Sequence, residues 1–204
     1  WVKTRNVATT DHCLFDSVRG VSKYINTNNA NVEATYAGFG TTAFNSNGFT
    51  VVDNAAGGYL VNGSTGSPTY IAWQWQAGQG TTSSNTSGSI TSTVSVNATA
   101  GFSIVTYTGT GANATVGHGL GVAPKMVIVK TRDVAGNNWV VWHSALAGTD
   151  YLLLNTTGAK GTDATAWNST TPTSTVFSVG ANTNTNQSTK LQLAYCFAAV
   201  AGYS

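Results

Sequence analysis

Seven carboxylates are the whole acid stock of this 204-residue chain, and Glu33 is its only glutamate. Cleavage of a glycosidic bond ordinarily takes two carboxyl groups about 5 to 10 Å apart across a sugar. A single acid recurs in a matching phrase, Glu33-Ala34-Thr35 against Asp163-Ala164-Thr165. A shared acid of this kind is a candidate for ligand binding, but an acid beside Thr in a turn more commonly bonds to nearby backbone. The histidines are His12, His118 and His143. A duplicated metal site keeps its ligands, yet His12 aligns with Trp139 and His143 with Asp16. His12 and Asp16 on one strand stand roughly 13 Å apart, too far to share an ion. His118 sits between two glycines and reads as a turn residue, since no Ser or Cys with a third orienting group can be named beside it. The runs Gly109-Thr110-Gly111 and Gly117–Gly121 lack the following helix that phosphate binding exploits. No catalytic residue, metal ligand or cofactor site is assigned, and the chain is read as non-enzymatic.

The aromatics leave more open. Trp73, Trp75, Tyr195 and Phe197 fall in corresponding closing strands and are expected to pack. Trp139 and Trp142 point to opposite faces of one strand, so one is expected in the core and the other partly exposed or at an interface. An exposed Trp flanked by Asn137 and Asn138 suits stacking on a sugar ring, because an aromatic face with amides nearby matches saccharide C–H and hydroxyl groups. Packing against a neighbouring chain suits it equally. Trp139, Trp167, Asn138 and Asp163 are therefore the candidate glycan or interface contacts.

The elements that would position these residues form a repeat, which is settled before the fold is read. Trp1-Val2-Lys3-Thr4-Arg5-Asn6 matches Ile128-Val129-Lys130-Thr131-Arg132-Asp133, and His12–Ser17 matches Trp139–Ser144 in the same register. The match runs on through Tyr24/Tyr151 and Asn28/Asn155. After small shifts it resumes at Ala43–Ser46/Ala166–Ser169, Phe49-Thr50-Val51/Phe177-Ser178-Val179 and Ala72-Trp73/Ala194-Tyr195. Alternating β-branched and aromatic segments punctuated by Gly, with no helical periodicity, predict an all-β chain. The predicted architecture is two tandem β-sandwich-like modules from an internal duplication: residues 1–80, a Gly/Ser/Thr linker over 81–88, and residues 89–204. A glycine-rich turn is expected after Asp53. The first unit opens in mid-strand without a counterpart of Pro124–Val127, so a longer parent protein is expected.

Composition narrows the function classes. Charged residues make up 8% of the chain, against roughly 25% in an average soluble protein. Solubility therefore rests on Thr, Ser, Asn and Gly, neutral groups that lose little when salt screens charge. With a net charge of +2 and nine dispersed Lys and Arg, no cluster could neutralise a row of phosphates, so nucleic acid is set aside. No apolar run reaches the 18 or so residues that span a bilayer, and membrane insertion is not expected. Cys13 and Cys196 occupy non-matching positions and read as free thiols packed as small apolar residues.

With the repeat in view, the chain resembles a family of repeated β-rich modules in virion proteins of tailed bacteriophages, especially marine ones. The resemblance is carried by Leu14–Gly20 (L-F-D-S-V-R-G), Phe44–Phe49 (F-N-S-N-G-F), Tyr70–Gly78 (Y-I-A-W-Q-W-Q-A-G), Gly101–Val105 (G-F-S-I-V), Val116–Pro124 (V-G-H-G-L-G-V-A-P), Thr171–Gly180 and Ala194–Phe197. It implies a structural or tail-fibre-like role at the virion surface, with other virion proteins as partners and no catalytic residues. By analogy it also implies a homo-oligomer, a trimer, with a host cell-surface glycan as a further contact. The alternative is a carbohydrate-binding module of a secreted or virion-associated protein.

Overall fold

Met126–Val129 is apolar at every position, the mark of a strand covered on both faces. In the computed structural model this segment runs through the middle of an eight-stranded sheet. The structure describes residues 1–53, 61–64 and 66–202, and the turn expected after Asp53 lies at 54–60, outside them. The first half contributes β1 (Val2–Thr4), β2 (Cys13–Phe15), β3 (Lys23–Asn26), β4 (Ala34–Thr35), β5 (Gly40–Asn45), β6 (Gly48–Val52) and β7 (Tyr70–Ala72). Then come β8 (Ser83–Asn85), β9 (Ser92–Asn97), β10 (Phe102–Thr108), β11 (Ala114–Gly117), β12 (Met126–Thr131), β13 (Val140–His143), β14 (Asp150–Leu153) and β15 (Gly161–Thr162). The chain ends with β16 (Val176–Val179), one helical turn α1 (Thr183–Asn186) and β17 (Leu191–Phe197). The fold is all-β.

Strands of the first half order as β4-β3-β2-β1-β7, and the large sheet as β15-β14-β13-β12-β17-β10-β9-β8. The first five positions of the two orders correspond, and so do the registers. Val2↔Cys13 is answered by Val129↔Val140, Cys13↔Asn26 by Val140↔Leu153, and Val2↔Ala72 by Val129↔Ala194. Even the edge bonds repeat: the Asn28 side chain accepts from His12 N at 2.8 Å and that of Asn155 from Trp139 N at 2.9 Å.

Alternation along these strands sends their two faces to different cores. Val2, Cys13 and Phe15 pack with Phe49 and Val51 under the β5–β6 hairpin, while Val129, Val140 and Trp142 pack with Phe177 and Val179 under the β11–β16 pair. The opposite faces meet each other: Leu14 and Ile25 lie against Ile104, Ile128, Trp139, Val141, Leu193 and Tyr195 in one cluster. Four layers result, with the two large sheets back to back and a two-stranded cap on each outer face. The halves thus share a hydrophobic core.

Several details differ from the sequence-based expectation. Ser83–Asn85, within the predicted linker, forms β8 and pairs with β9. Ala43–Asn45 is strand but Ala166–Ser169 is turn, because β16 takes β11 as its partner where β6 takes β5. The turn α1 had no periodic signal; Asn182 caps it by accepting from Asn184 N at 2.8 Å. In the Gly117–Gly121 turn, Gly119 and Gly121 take φ of +75°, a conformation glycine adopts without steric cost.

Ile25 belongs to the first half, yet it is fully buried in the cluster shared with the second. Ile25→Ala is expected to cost about 2–5 kcal/mol and to lower a single urea transition seen alike by tryptophan fluorescence and far-UV circular dichroism. Two separated transitions, with only the first displaced, would contradict a shared core.

Candidate functional site

The phrase Leu14–Gly20 builds the most strongly polar point of the interior. Asp16 Oδ1 accepts from the backbone N–H groups of Val18 at 3.0 Å and Arg19 at 2.9 Å, closing a tight turn that Gly20 leaves at a φ of +104°. The turn aims Arg19 back at Asp16: its Nε donates to Asp16 Oδ2 at 2.5 Å and its Nη2 to the Leu14 carbonyl at 3.0 Å. The Tyr195 hydroxyl, from β17 of the other sheet, donates to the same Oδ2 at 2.6 Å. Burial alone would push the Asp16 carboxyl up, but the Arg19 guanidinium and the Tyr195 hydroxyl hold it below the usual carboxylate range. Arg19 behaves reciprocally: burial is the largest single influence and opposes its charge, but Asp16, Tyr195 and Glu33 together outweigh it and raise its pKa.

Glu33 extends this cluster to the far half. Its carboxylate accepts from Arg132 Nε and Nη2, both at 2.9 Å, and its backbone N–H donates to the Arg132 carbonyl at 2.7 Å. Arg19 Nη1 lies 3.3 Å from the same carboxylate. The expected correspondence of Glu33 with Asp163 does not hold. Tyr24↔Ala34 is answered by Tyr151↔Gly161, so the position answering to Glu33 is Lys160. Asp163 has the local role foreseen for a turn acid: Oδ1 accepts from Thr165 N at 2.7 Å and Oγ1 at 2.6 Å, and Oδ2 from Asn182 at 2.8 Å.

The candidate contact residues lie elsewhere than on a binding face. Trp139 and Trp167 are 0% and 1% exposed, so neither presents a ring to an outside ligand. Trp139 is in the core shared by the two sheets and donates its indole N–H to the Asn26 carbonyl at 2.9 Å. Trp167 packs beneath the β11–β16 pair. Trp142 does point opposite to Trp139, but both are buried because the large sheet is an inner layer covered on each face. Asn138 is half-buried, accepting from Asn155 Nδ2 at 2.8 Å and donating its backbone N–H to Asn184 at 2.7 Å.

Exposed aromatics occur where packing was expected. Trp73 and Trp75 are 46% and 45% exposed, whereas Tyr195, the counterpart of Trp73, is 5% exposed. Trp1 meets Trp73 edge-on at 6.2 Å, and Trp75 meets Phe197 edge-on at 5.9 Å. These rings line a cleft of about 870 Å³ together with the amides Gln74, Gln76, Asn45 and Asn47 and with Phe44 and Phe49 of the β5–β6 hairpin. Among the described residues Asp16 is the one charged side chain lining the cleft, and its carboxylate is already engaged. Sequence reasoning passed over this cleft because alternating Trp and Gln in a closing strand reads as a packed face. The burial differs because β10 covers Tyr195, whereas among the described residues β7 stands last in its sheet.

Other reactive groups are tied into the scaffold. His118 is buried and its pKa is lowered by that burial; its Nδ1 accepts from Leu120 N at 3.2 Å. Cys13 and Cys196 are free, and burial pushes both thiols up to about 12. Lys130 is fully buried, donates to the Asn137 carbonyl at 2.7 Å, and is pushed down to about 8 by desolvation. Among the described residues no three His, Cys, Asp or Glu side chains gather as a metal site would require, and no helix is long and apolar enough to cross a membrane.

The family model described as a domain of unknown function (DUF7483) matches residues 1–204, so the chain belongs to that family. No curated protein and no solved structure matches it.

Asp16→Asn leaves the Arg19 guanidinium buried against a neutral partner, and a loss of about 3–5 kcal/mol is expected in urea unfolding. Because the folded pKa of Asp16 is depressed, its contribution is complete above the unfolded value and fades as pH falls below about 4. The variant should therefore flatten the acid limb of the stability curve; an unchanged limb would remove Asp16 from that role. Lys130 acts at the other end. Its folded pKa of about 8 lies under the ordinary value, so between about 8 and 10 the unfolded chain binds more protons and stability rises with pH. The difference in melting temperature between wild type and Lys130→Met should change across that interval in favour of the wild type; a constant difference would contradict the assignment.

Proposed function

We propose that this member of the DUF7483 family is a non-enzymatic structural component of a tailed-bacteriophage virion, in a tail fibre or comparable surface appendage. The resemblance through Leu14–Gly20, Tyr70–Gly78 and Val116–Pro124 suggests it, and one structural observation supports it above others. The strongest titratable cluster, Asp16, Arg19, Glu33, Arg132 and Tyr195, is spent on joining two sheets, and Asp16, the one carboxylate among the described residues lining the cleft, is engaged in it. A chain whose surface is mostly hydroxyls and amides, wrapped on a doubly capped pair of sheets, suits an element that bears load outside a cell. We read the matched strand orders as the product of a duplicated module, and by analogy with fibres we assign a homo-oligomer, a trimer.

The carbohydrate-binding alternative has lost Trp139 and Trp167 to the core and rests on Trp73 and Trp75 alone. Gold-labelled antibody raised against residues 1–204 is expected to decorate the tail appendages of intact particles in electron micrographs. Particles without label, or label confined to capsid interiors released by disruption, would overturn the surface-appendage reading. Light scattering on the parent protein should give three times the chain mass; a stable monomer would remove the trimer.

A further inference from the structure

Asn-Gly occurs at two places, Asn47-Gly48 and Asn62-Gly63, and every other Asn is followed by a residue that carries a side chain. Glycine matters there because, without a Cβ, its backbone nitrogen can approach the preceding side chain. The two copies are held differently. Gly63 N–H donates to the Tyr70 hydroxyl at 2.7 Å, which ties that nitrogen to β7. Asn47 is exposed at the tip of the β5–β6 hairpin, and among the described residues its carboxamide has no hydrogen-bond partner. The tip itself is weakly closed. Asn45↔Gly48 is the last pair, so Ser46 and Asn47 make a two-residue loop. Two-residue loops that match the twist of their strands need a positive φ, and neither Ser46 nor Asn47 has one. Among the described residues β5 and β6 pair only with each other. A two-stranded ribbon is marginal by itself, and opening of its end pair takes little free energy. The corner is open in the other half as well: Ser169, aligned with Ser46, and its neighbour Thr170 are exposed.

We infer that Asn47 is a site of spontaneous covalent modification, deamidation through a cyclic imide formed with Gly48. When the end pair opens, the Gly48 nitrogen gives up its proton to solvent base and attacks Asn47 Cγ. The new N–Cγ bond closes a succinimide ring, the bond from Cγ to the side-chain nitrogen breaks, and ammonia leaves. Water then adds to one of the two ring carbonyls, and the ring opens to aspartate or isoaspartate with no change of oxidation state. Either product sets a carboxylate on the cleft, where Asp16 is the one charged lining residue among the described ones, and lowers the net charge of +2 by one. Isoaspartate also inserts a methylene into the main chain between the strands, so Asn45 and Gly48 no longer close the loop in register. That loosens the cap whose Phe49 and Val51 lie on Val2, Cys13 and Phe15. The inference stands apart from the virion assignment, since it concerns the hairpin and not the particle.

The test incubates the full chain at neutral and at mildly alkaline pH and maps amide-to-acid conversion by mass spectrometry at single-residue resolution. Conversion is expected at Asn47 at least fivefold faster than at Asn62, and faster in the alkaline sample, with the isoaspartate fraction counted by an isoaspartyl methyltransferase assay. In urea the two sites should convert at similar rates, because the difference between them lies in the fold. Gly48→Ala supplies the control: Gly48 has no positive φ and an added Cβ there meets nothing within 4 Å. This variant should keep the circular dichroism spectrum and convert at Asn47 at least tenfold more slowly. Conversion at Asn62 as fast as at Asn47 in the folded chain, or a ratio of the two rates that urea leaves unchanged, overturns the inference. So does an Asn47 that stays intact over a time in which the urea-unfolded chain converts fully, or a Gly48→Ala variant that converts at the wild-type rate.

Discussion

The structure depends on a guanidinium that cannot leave the interior. Arg19 has no solvent of its own, so its charge is tolerable only while Asp16 stays ionised beside it and Tyr195 and Glu33 complete the surroundings. Asp16 and Arg19 come from a turn of the first half, Tyr195 from β17 and Arg132 from the bend that follows β12 in the second. The desolvation cost of each charge is therefore offset only when the two sheets are in place. Apolar contact between Leu14, Ile25, Trp139 and Leu193 would tolerate some sliding, whereas a bidentate Arg132–Glu33 pair and a short Tyr195–Asp16 bond do not. Hydrophobic burial brings the sheets together, and the polar cluster sets how they meet.

That division explains which features were legible in the residues. Strands and their pairing followed from alternation and from the repeated phrases, because a one-residue slip would turn Val2 or Val129 out of its core. Asn28 and Asn155 could be matched by eye, and they prove to bond equivalent backbone groups. What stayed hidden depended on how the halves pack. Nothing local in Trp139 says that both faces of its sheet are covered, so its exposure was misjudged. Glu33 and Asp163 looked alike because both precede Ala-Thr, although the chain reaches them by different registers. The cleft was obscured by the same reasoning in reverse, since a Trp-Gln-Trp-Gln strand is a packed face only if another strand lies alongside.

The residues that differ between the halves follow from unequal surroundings of equal frames. Where β16 pairs with β11, drawn from upstream in the second half, β6 pairs with β5 from within its own hairpin, and the segments aligned with β5 are free to become turn. Asp16, Arg19 and Tyr195 have His143, Leu146 and Trp73 at the corresponding positions, so the ion cluster exists once. A symmetric pair of sheets would have needed two such clusters and twice the buried charge.

The single cluster has a further physical consequence. A buried pair between two identical surfaces fixes distance but not polarity, because either half could serve as either partner. With the carboxylate and guanidinium on one side and the phenol on the other, only one mutual orientation satisfies all three groups.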